Sequence, residues 1–210
     1  MNSTTDINEP IREAILEQAL TLAQFDGWTE SMLDSACQKA GHDDIMTWRR
    51  VFGTSPVDVI DYFTRKADES MIEELANAEL DEMRIRDRIA HIVMTRLHQH
   101  TPHKEAVRRA IAHMMLPQHA PRSAKALART MDEMWHLAGD NSTDFNFYTK
   151  RATLAKVYSA TLFVWLNDES DTLEETDAFL RRRIENVMQF EKFKAKIKGL
   201  TEKCRAGFRH

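Results

Sequence analysis

Residues 29–53 read TESMLDSACQKAGHDDIMTWRRVFG, and this stretch predicts two short helices joined by a tight turn. Thr29 opens a helix that stops at Ala40-Gly41, because glycine commonly ends helices. A shorter helix is predicted from about Asp43 to Phe52. The residues before this pair predict a longer amphipathic helix, with apolar side chains at three- and four-residue spacings: Ile11, Ile15, Ala19, Leu22 and Ala23. One longer helix followed by two short ones across a tight turn is typical of a helix-turn-helix unit.

The apolar spacing of this unit resembles the N-terminal domain of TetR-type regulators. The positions that carry the resemblance are Ile15, Ala19, Gly27, Thr29, Ala36, Ala40, Gly41 and Phe52. It implies an all-α, TetR-like fold. Many three-helix units share similar spacing, so the pattern alone does not imply that the protein binds DNA.

The charges of the unit argue against DNA binding. Between residues 29 and 53 the net charge is about −1, from Lys39, Arg49 and Arg50 against Glu30, Asp34, Asp43 and Asp44. Affinity for DNA comes largely from neutralised phosphates. Asp43 and Asp44 would stand at the N-terminus of the recognition helix, which should receive a phosphate or a base edge. We therefore predict a packing unit that binds no nucleic acid, with a TetR-type ligand-responsive transcriptional regulator as the alternative.

The rest of the chain is predicted to be a helical bundle. Glycine and proline, the strongest helix breakers, are absent between Val57 and Thr101, and only Gly139 interrupts the span from Arg122 to Lys198. Helix starts or caps are predicted at Ser55-Pro56, Thr101-Pro102, Pro121, Ser142-Thr143-Asp144, and Thr172 with Glu175. The sequence thus predicts an all-α, TetR-like bundle divided into residues 1–54, 55–189 and 190–210.

Composition indicates an intracellular protein. Cys37 and Cys204 lie far apart and form no disulfide framework or metal-ligand pair. The chain has no apolar run long enough to span a membrane. Residues 1–6, MNSTTD, lack the basic start of a signal peptide. We expect the protein in a bacterial cytoplasm.

The search for catalytic or metal-binding patterns yields no candidate. His98, His100 and His103 cluster in sequence, but the first two would point to different helix faces, and the run crosses a predicted helix junction. No GxSxG motif, P-loop or dinucleotide fingerprint occurs, and the ExxH pair of di-iron bundles is missing. We predict no catalytic residue, no metal site and no cofactor.

Residues 138–151 read AGDNSTDFNFYTKR and carry a specific resemblance. This string resembles the ninth Coq protein family, the lipid-binding accessory proteins of ubiquinone biosynthesis, and a weaker resemblance extends from about Ile11 to Gln189. It implies a TetR-like fold without DNA binding, an isoprenoid lipid or quinone precursor as ligand, and the di-iron demethoxyubiquinone hydroxylase as partner. Phe147 departs from the family, because mitochondrial members carry Trp there. It keeps the aromatic face but loses an N–H donor.

Two sets of residues are the candidate binding sites around this string. Soft and aromatic side chains form the candidate lipid site: Met114, Met115, Leu116, Trp135, Tyr158 and Leu162. The alternative is that these side chains fill the core. Hydrophobic anchors mixed with charge form the candidate partner site: Asp132, Met134, Phe147, Tyr148 and Arg151. By resemblance this surface would dock the hydroxylase, whereas a structural role would leave Asp132 and Arg151 solvated and Phe147 buried.

Residues 190–210 predict a basic amphipathic helix. From Arg181 to the end of the sequence there are ten Lys or Arg against three Glu, whereas the whole chain carries a net charge of −4. Apolar side chains recur at helical spacing among the lysines, which is typical of a segment lying in a membrane interface. The candidate membrane contacts are Phe190, Phe193, Lys194, Ile197, Lys198 and Leu200. Packing on a partner is the alternative. We expect peripheral attachment to the inner face of the plasma membrane and, as in most TetR-like proteins, a homodimer.

Overall fold

A computed structural model describes residues 6–140 and 145–189, and these residues form helices without any strand. The predicted cap at residues 142–144 lies outside them. So does the whole predicted tail with its candidate membrane contacts, which are Phe190, Phe193, Lys194, Ile197, Lys198 and Leu200.

The N-terminal unit consists of α1 (Glu9–Asp26), α2 (Glu30–Lys39) and α3 (Thr47–Val51). Thr29 caps α2 as predicted, because its side chain accepts a hydrogen bond from the Met32 amide at 3.2 Å. Trp48 is fully buried, and its indole N–H donates to Asp34 at 2.7 Å. This bond fixes α3 against α2.

The third helix is shorter than predicted. It spans five residues and begins at Thr47, not at Asp43. Asp44 accounts for the difference, because its carboxylate accepts a hydrogen bond from the Met46 amide at 2.9 Å. Such local side-chain bonds offer the backbone an alternative to the helix. The predicted recognition helix from Asp43 to Phe52 is therefore wrong in its first turn.

The remaining residues form the bundle. Ser55 and Asp58 make the capping box that starts the fourth helix. The longer helices are α4 (Pro56–Leu75), α5 (Ile85–Gln99), α6 (Lys104–Met114), α7 (Ala120–Leu137), α8 (Phe145–Asn167) and α9 (residues 174–189). Short 3₁₀ turns occupy Leu80–Glu82, Thr101–His103 and Pro117–His119. The turn at Leu80–Glu82 lies between Val57 and Thr101, where the sequence has neither glycine nor proline. The absence of these residues therefore does not by itself produce one continuous helix.

A buried polar network joins four helices of the bundle. Asp68 of α4 lies 2.7 Å from a guanidinium nitrogen of Arg96 in α5 and accepts a hydrogen bond from Thr130 of α7 at 2.9 Å. Arg96 also donates to the hydroxyl of Tyr158 in α8 at 3.2 Å. Removing one partner of a buried pair is costly because the other charge stays uncompensated. These bonds therefore favour one mutual arrangement of the four helices.

The cap of α9 differs from the predicted capping box of Thr172 with Glu175. Asp168 caps the helix from upstream, accepting hydrogen bonds from the Thr176 amide at 2.9 Å and the Thr176 hydroxyl at 2.6 Å. Burial acts to raise the pKa of Asp168, but the hydrogen bonds from Ser170 and Thr176 outweigh it and hold that pKa well below its usual range. A short-range motif could not reveal a cap eight positions away.

Candidate functional site

A cavity of about 500 Å³ opens between α5, α7, α8 and α9. Most of its wall is apolar: Ile85, Ile89, Trp135, Ala138, Leu154, Val157, Ile184, Val187 and Met188. Its size and apolar lining are those of a small-molecule pocket. The cavity forms where four helices meet without filling the space between them.

Four polar side chains of α8 and of its connection to α7 line the cavity. We call them the polar wall: Asp140, Thr149, Lys150 and Thr153. The Lys150 ammonium lies 2.6 Å from Asp140 and 5.5 Å from the centre of the Trp135 ring. The Asp140 side chain is only 7% exposed and also accepts a hydrogen bond from Arg151 at 3.3 Å. These charges are held by one another within an otherwise apolar surrounding.

Four of the five residues predicted to bind a partner form one cluster at the surface. We call it the surface cluster: Asp132, Phe147, Tyr148 and Arg151. The Arg151 guanidinium donates to Asp132 at 2.7 Å and lies 3.3 Å from the centre of the Phe147 ring. The rings of Phe147 and Tyr148 meet edge to face at 5.1 Å, and Tyr148 is 71% exposed. The cluster presents a large exposed aromatic side chain beside an ordered ion pair.

Met134, the fifth residue of the predicted partner site, lies elsewhere. It is fully buried, together with Thr130 and Met131 on the inner face of α7 and Ala138 just after that helix. Spacings of three and four residues place these side chains on one side of the helix. Met134 therefore belongs to the core and offers no surface for a partner.

The six residues predicted to bind lipid are scattered. Trp135 lines the cavity. Tyr158 is buried against Arg96, while Met114 and Leu162 are half-buried against the core. Met115 and Leu116 follow the end of α6 and are 68% and 42% exposed. Lipid binding by these residues stays a prediction, and the structure brings only Trp135 to the cavity.

Several cavity residues were missed in the sequence, among them Ile85, Ile89, Val187 and Met188. Each lies on an amphipathic helix at a position that a core residue could equally occupy. Helical spacing identifies the inward face of a helix, but it cannot tell whether that face meets another side chain or an open space. No signal in the sequence separates these two cases.

The two arginines of residues 29–53 are paired with acids. Arg49 lies 2.7 Å from Glu30 and 3.1 Å from Asp34, and Arg50 lies 2.7 Å from Asp44. The hydrogen bond to Glu30 is the largest influence that raises the pKa of Arg49. A phosphate would have to compete with these carboxylates for both guanidinium groups.

The histidine run does not come together as a metal site. His98 is exposed, whereas His100 is buried beside Phe63 and Arg96. Within residues 6–140 and 145–189, no group of three or more His, Cys, Asp or Glu could hold a metal ion. In the same part of the chain, no helix is both long and apolar enough to cross a membrane.

Comparison with known sequences finds relatives named as COQ9 proteins. A model of the COQ9 family matches residues 120–191. The protein named "Ubiquinone biosynthesis protein COQ9, mitochondrial" is 32% identical in Rattus norvegicus and 31% in Homo sapiens, in each case across 92% of this chain. This chain covers 64% and 63% of those relatives, just under two thirds of their length. The counterpart in Schizosaccharomyces pombe is 30% identical across 82% of this chain and 68% of its own.

A solved structure shares the fold. The crystal structure of a TetR transcriptional regulator from Nitrosomonas europaea superposes with a TM-score of 0.67 at 22% identity. The superposition covers 84% of this chain and 97% of that one. It confirms the predicted all-α, TetR-like fold, and at this identity it shows the fold alone.

Proposed function

This chain belongs to the COQ9 family, as the resemblance of residues 138–151 predicted, and from that premise we propose that it is a non-catalytic, lipid-binding accessory protein of ubiquinone biosynthesis. The names of its relatives support the pathway. In this proposal the cavity binds an isoprenoid quinone precursor and the surface cluster docks the di-iron demethoxyubiquinone hydroxylase. The single observation that carries the proposal is the apolar cavity beside that cluster.

The cavity supplies the physical reason for a carrier. Each CH₂ group moved from water into an apolar site contributes about 0.8 kcal/mol, so one isoprene unit contributes several. An isoprenoid tail therefore does not cross water freely between membrane and enzyme. A wall built from residues such as Ile89, Leu154 and Val187 gives such a tail an apolar surrounding of suitable size.

The surface cluster supplies a docking point next to the cavity. Aromatic and arginine side chains dominate the binding energy of protein interfaces. Tyr148 is exposed and ready for such a contact, while Arg151 is held by Asp132 and Asp140. Because Asp140 also belongs to the polar wall, a partner at the cluster would stand beside the ligand.

The proposal includes a membrane contact and self-association. Residues 190–210 would lie as a basic amphipathic segment on the inner face of a bacterial plasma membrane, where the lipid ligand is dissolved. This chain would also form a homodimer, the common state of its fold class. These two parts rest on the sequence pattern and on the fold, respectively.

The decisive experiment is organic extraction of the protein purified from its native host, followed by mass spectrometry of the extract. We expect a stoichiometric isoprenoid or quinone precursor. Val187→Trp should fill the cavity and reduce the extracted amount, whereas Val164→Trp, half-buried on α8 but outside the cavity lining, should retain it. Trace bulk phospholipid alone in the wild-type extract would contradict the carrier function.

A TetR-type transcriptional regulator is the second candidate, because the solved regulator from Nitrosomonas europaea shares the fold. The ion pairs of Arg49 and Arg50 with neighbouring acids disfavour it. Gel shifts with random genomic fragments test this candidate directly. Specific retardation at physiological salt, released by an isoprenoid ligand, would support the regulator and count against the accessory protein.

A further inference from the structure

We propose that the cavity orients its ligand, with an oxygen-bearing ring against the Thr153 hydroxyl and the hydrocarbon tail along α5 and α9. This inference rests on the proposed function, since it concerns the ligand of the same cavity. Beyond the proposed function, it assigns Thr153 as the residue that selects the head group, and it gives the direction in which the ligand lies in the cavity.

The cavity has two chemically different sides. Among the described residues, α5 and α9 contribute the apolar Ile85, Ile89, Ile184, Val187 and Met188 and the charged Arg86. The polar wall is contributed by other elements, α8 and its connection to α7, beside the apolar Leu154 and Val157. An amphiphilic ligand loses least free energy when its hydrocarbon meets the first side and its oxygens meet the second.

Most polar groups of the cavity already have partners. Lys150 is bound to Asp140, and Asp140 is bound in addition to Arg151. Arg86 lies 3.4 Å from Glu185. Thr149 takes part in a further interaction of its own. A ligand would have to break an existing contact to use any of these groups.

Two cavity groups differ. The indole N–H of Trp135 is buried without a hydrogen-bond partner among the described residues, and so it can only donate, whereas the hydroxyl of Thr153 can donate or accept. Threonine in a helix commonly donates its hydroxyl to the carbonyl four residues earlier, and Thr161 of α8 does so to Val157 at 2.8 Å. Within the described ranges the hydroxyl of Thr153 makes no such bond, although the residue lines the cavity. It can therefore donate to a carbonyl oxygen of a ligand or accept from a phenol without giving up a protein contact.

The position of Thr153 sets the direction of the ligand. It lies one turn after Thr149 and three residues after Lys150, on the cavity-facing side of α8. The Asp140 carboxylate connects this wall to Arg151 of the surface cluster. A ring bound at Thr153 thus lies on the wall that Asp140 links to the proposed docking surface, with its tail directed towards α9.

The test compares two ligands on two variants. A short-chain prenyl benzoquinone and the matching prenyl hydrocarbon are titrated against the wild type, Thr153→Val and Thr153→Ser, with isothermal titration calorimetry as the readout. Thr153→Val keeps the volume and removes the hydroxyl, so we expect quinone affinity to fall about three- to tenfold while hydrocarbon affinity is unchanged. Thr153→Ser keeps the hydroxyl and should keep the quinone preference. Thr161→Val, outside the cavity lining, is the control for loss of a helix hydroxyl and should leave both affinities unchanged.

The outcomes separate this inference from the function on which it rests. Equal quinone affinity in the wild type and Thr153→Val would overturn the orientation and leave the carrier function standing. A wild type that binds neither ligand would overturn the carrier function itself. As a second measurement, a photoreactive group on the quinone ring should cross-link to peptides from residues 145–153. Cross-links to residues 184–188 instead would reverse the proposed direction.

Discussion

At the scale of single residues, burial decides what a polar side chain does. His100 and His98 lie two positions apart at the end of α5, yet one is buried and the other exposed. Burial, with a smaller influence from the charge of Arg96, lowers the pKa of His100 to about 3. His100 is thus a neutral packing residue, in edge-to-face contact with Phe63 at 5.1 Å.

We expect His100 to make the fold sensitive to mild acid. In the unfolded state the His100 imidazole is protonated below about pH 6.5, whereas in the folded state it stays neutral down to about pH 3. Its contribution to the free energy of unfolding is therefore fully present above pH 6.5 and is lost as the pH falls. The expected loss at pH 5 is on the order of 2 kcal/mol. Urea unfolding at pH 7 and pH 5 measures it. His100→Gln should remove most of this loss, whereas the exposed control His98→Gln should keep it. An equal loss of stability between pH 7 and pH 5 in both variants would contradict the role of His100.

The surface cluster is the second feature that belongs to the residue scale. Asp132 and Tyr148 lie at the surface, so changing them should leave the core intact. In the Asp132→Lys, Tyr148→Ala double variant we expect capture of the hydroxylase to weaken by tenfold or more, as for hot-spot residues. Phe163→Ala, about half exposed on the same helix, is the matched control. Capture at wild-type strength by the double variant would argue against docking here.

At the scale of helices, side-chain hydrogen bonds to the backbone determine where elements begin. Asp44 replaces the first turn of the predicted third helix, and Asp168 caps α9 across the loop that precedes it. Lys104 of α6 reinforces that loop, because its ammonium donates to the Asp168 carbonyl at 2.6 Å. The position of α9 as a cavity wall therefore depends on contacts with both its own start and another helix.

Asp168→Ala should loosen α9. The substitution leaves the Thr176 amide and hydroxyl without their acceptor, and we expect a loss of roughly 1–3 kcal/mol in the free energy of unfolding. Thr172→Ala, at the cap that the sequence predicted, should change stability by less than about 0.5 kcal/mol. Urea denaturation at pH 7 compares the two variants. A larger loss of stability in Thr172→Ala than in Asp168→Ala would mean that the capping box of Thr172 with Glu175 starts α9, and not Asp168.

At the scale of the whole molecule, the TetR-like framework has a helix-turn-helix unit near one end of the chain, with both of its arginines paired with acids, and a cavity formed by helices nearer the other end. The buried pair of Asp68 and Arg96 joins the helices between them. Ligand binding, partner docking and membrane contact are all proposed for residues from α5 onward. The N-terminal unit contributes packing, since α1 lies against α2 and α6 and Trp28 donates to the Ala106 carbonyl.

Truncation after Gln189 tests the proposed membrane contact. The deleted residues carry most of the basic charge near the end of the sequence, and each such residue adds about 1 kcal/mol near anionic lipid. Co-sedimentation with anionic vesicles should therefore fall by at least tenfold, and wild-type binding should weaken with added salt. Neutral vesicles are the control. Unchanged sedimentation of the truncated chain would refute the role of residues 190–210.

The sequence by itself determined the features that rest on short-range physics. Periodic apolar residues and local caps such as Thr29 and Ser55 predicted most helices, because these interactions span only a few positions. The motif at residues 138–151 predicted the family, and four of the five residues chosen for a partner site came together at the surface.

Only the tertiary structure decided which inward faces meet a neighbour and which line a space. Met134 and Trp135 are adjacent in α7, yet the first fills the core and the second lines the cavity. The cavity walls come from four helices, so its existence depends on how they pack and not on any one segment. The same holds for the hydroxyl of Thr153, which has no hydrogen-bond partner in the part of the chain that the structure describes, because such a vacancy depends on neighbours in space.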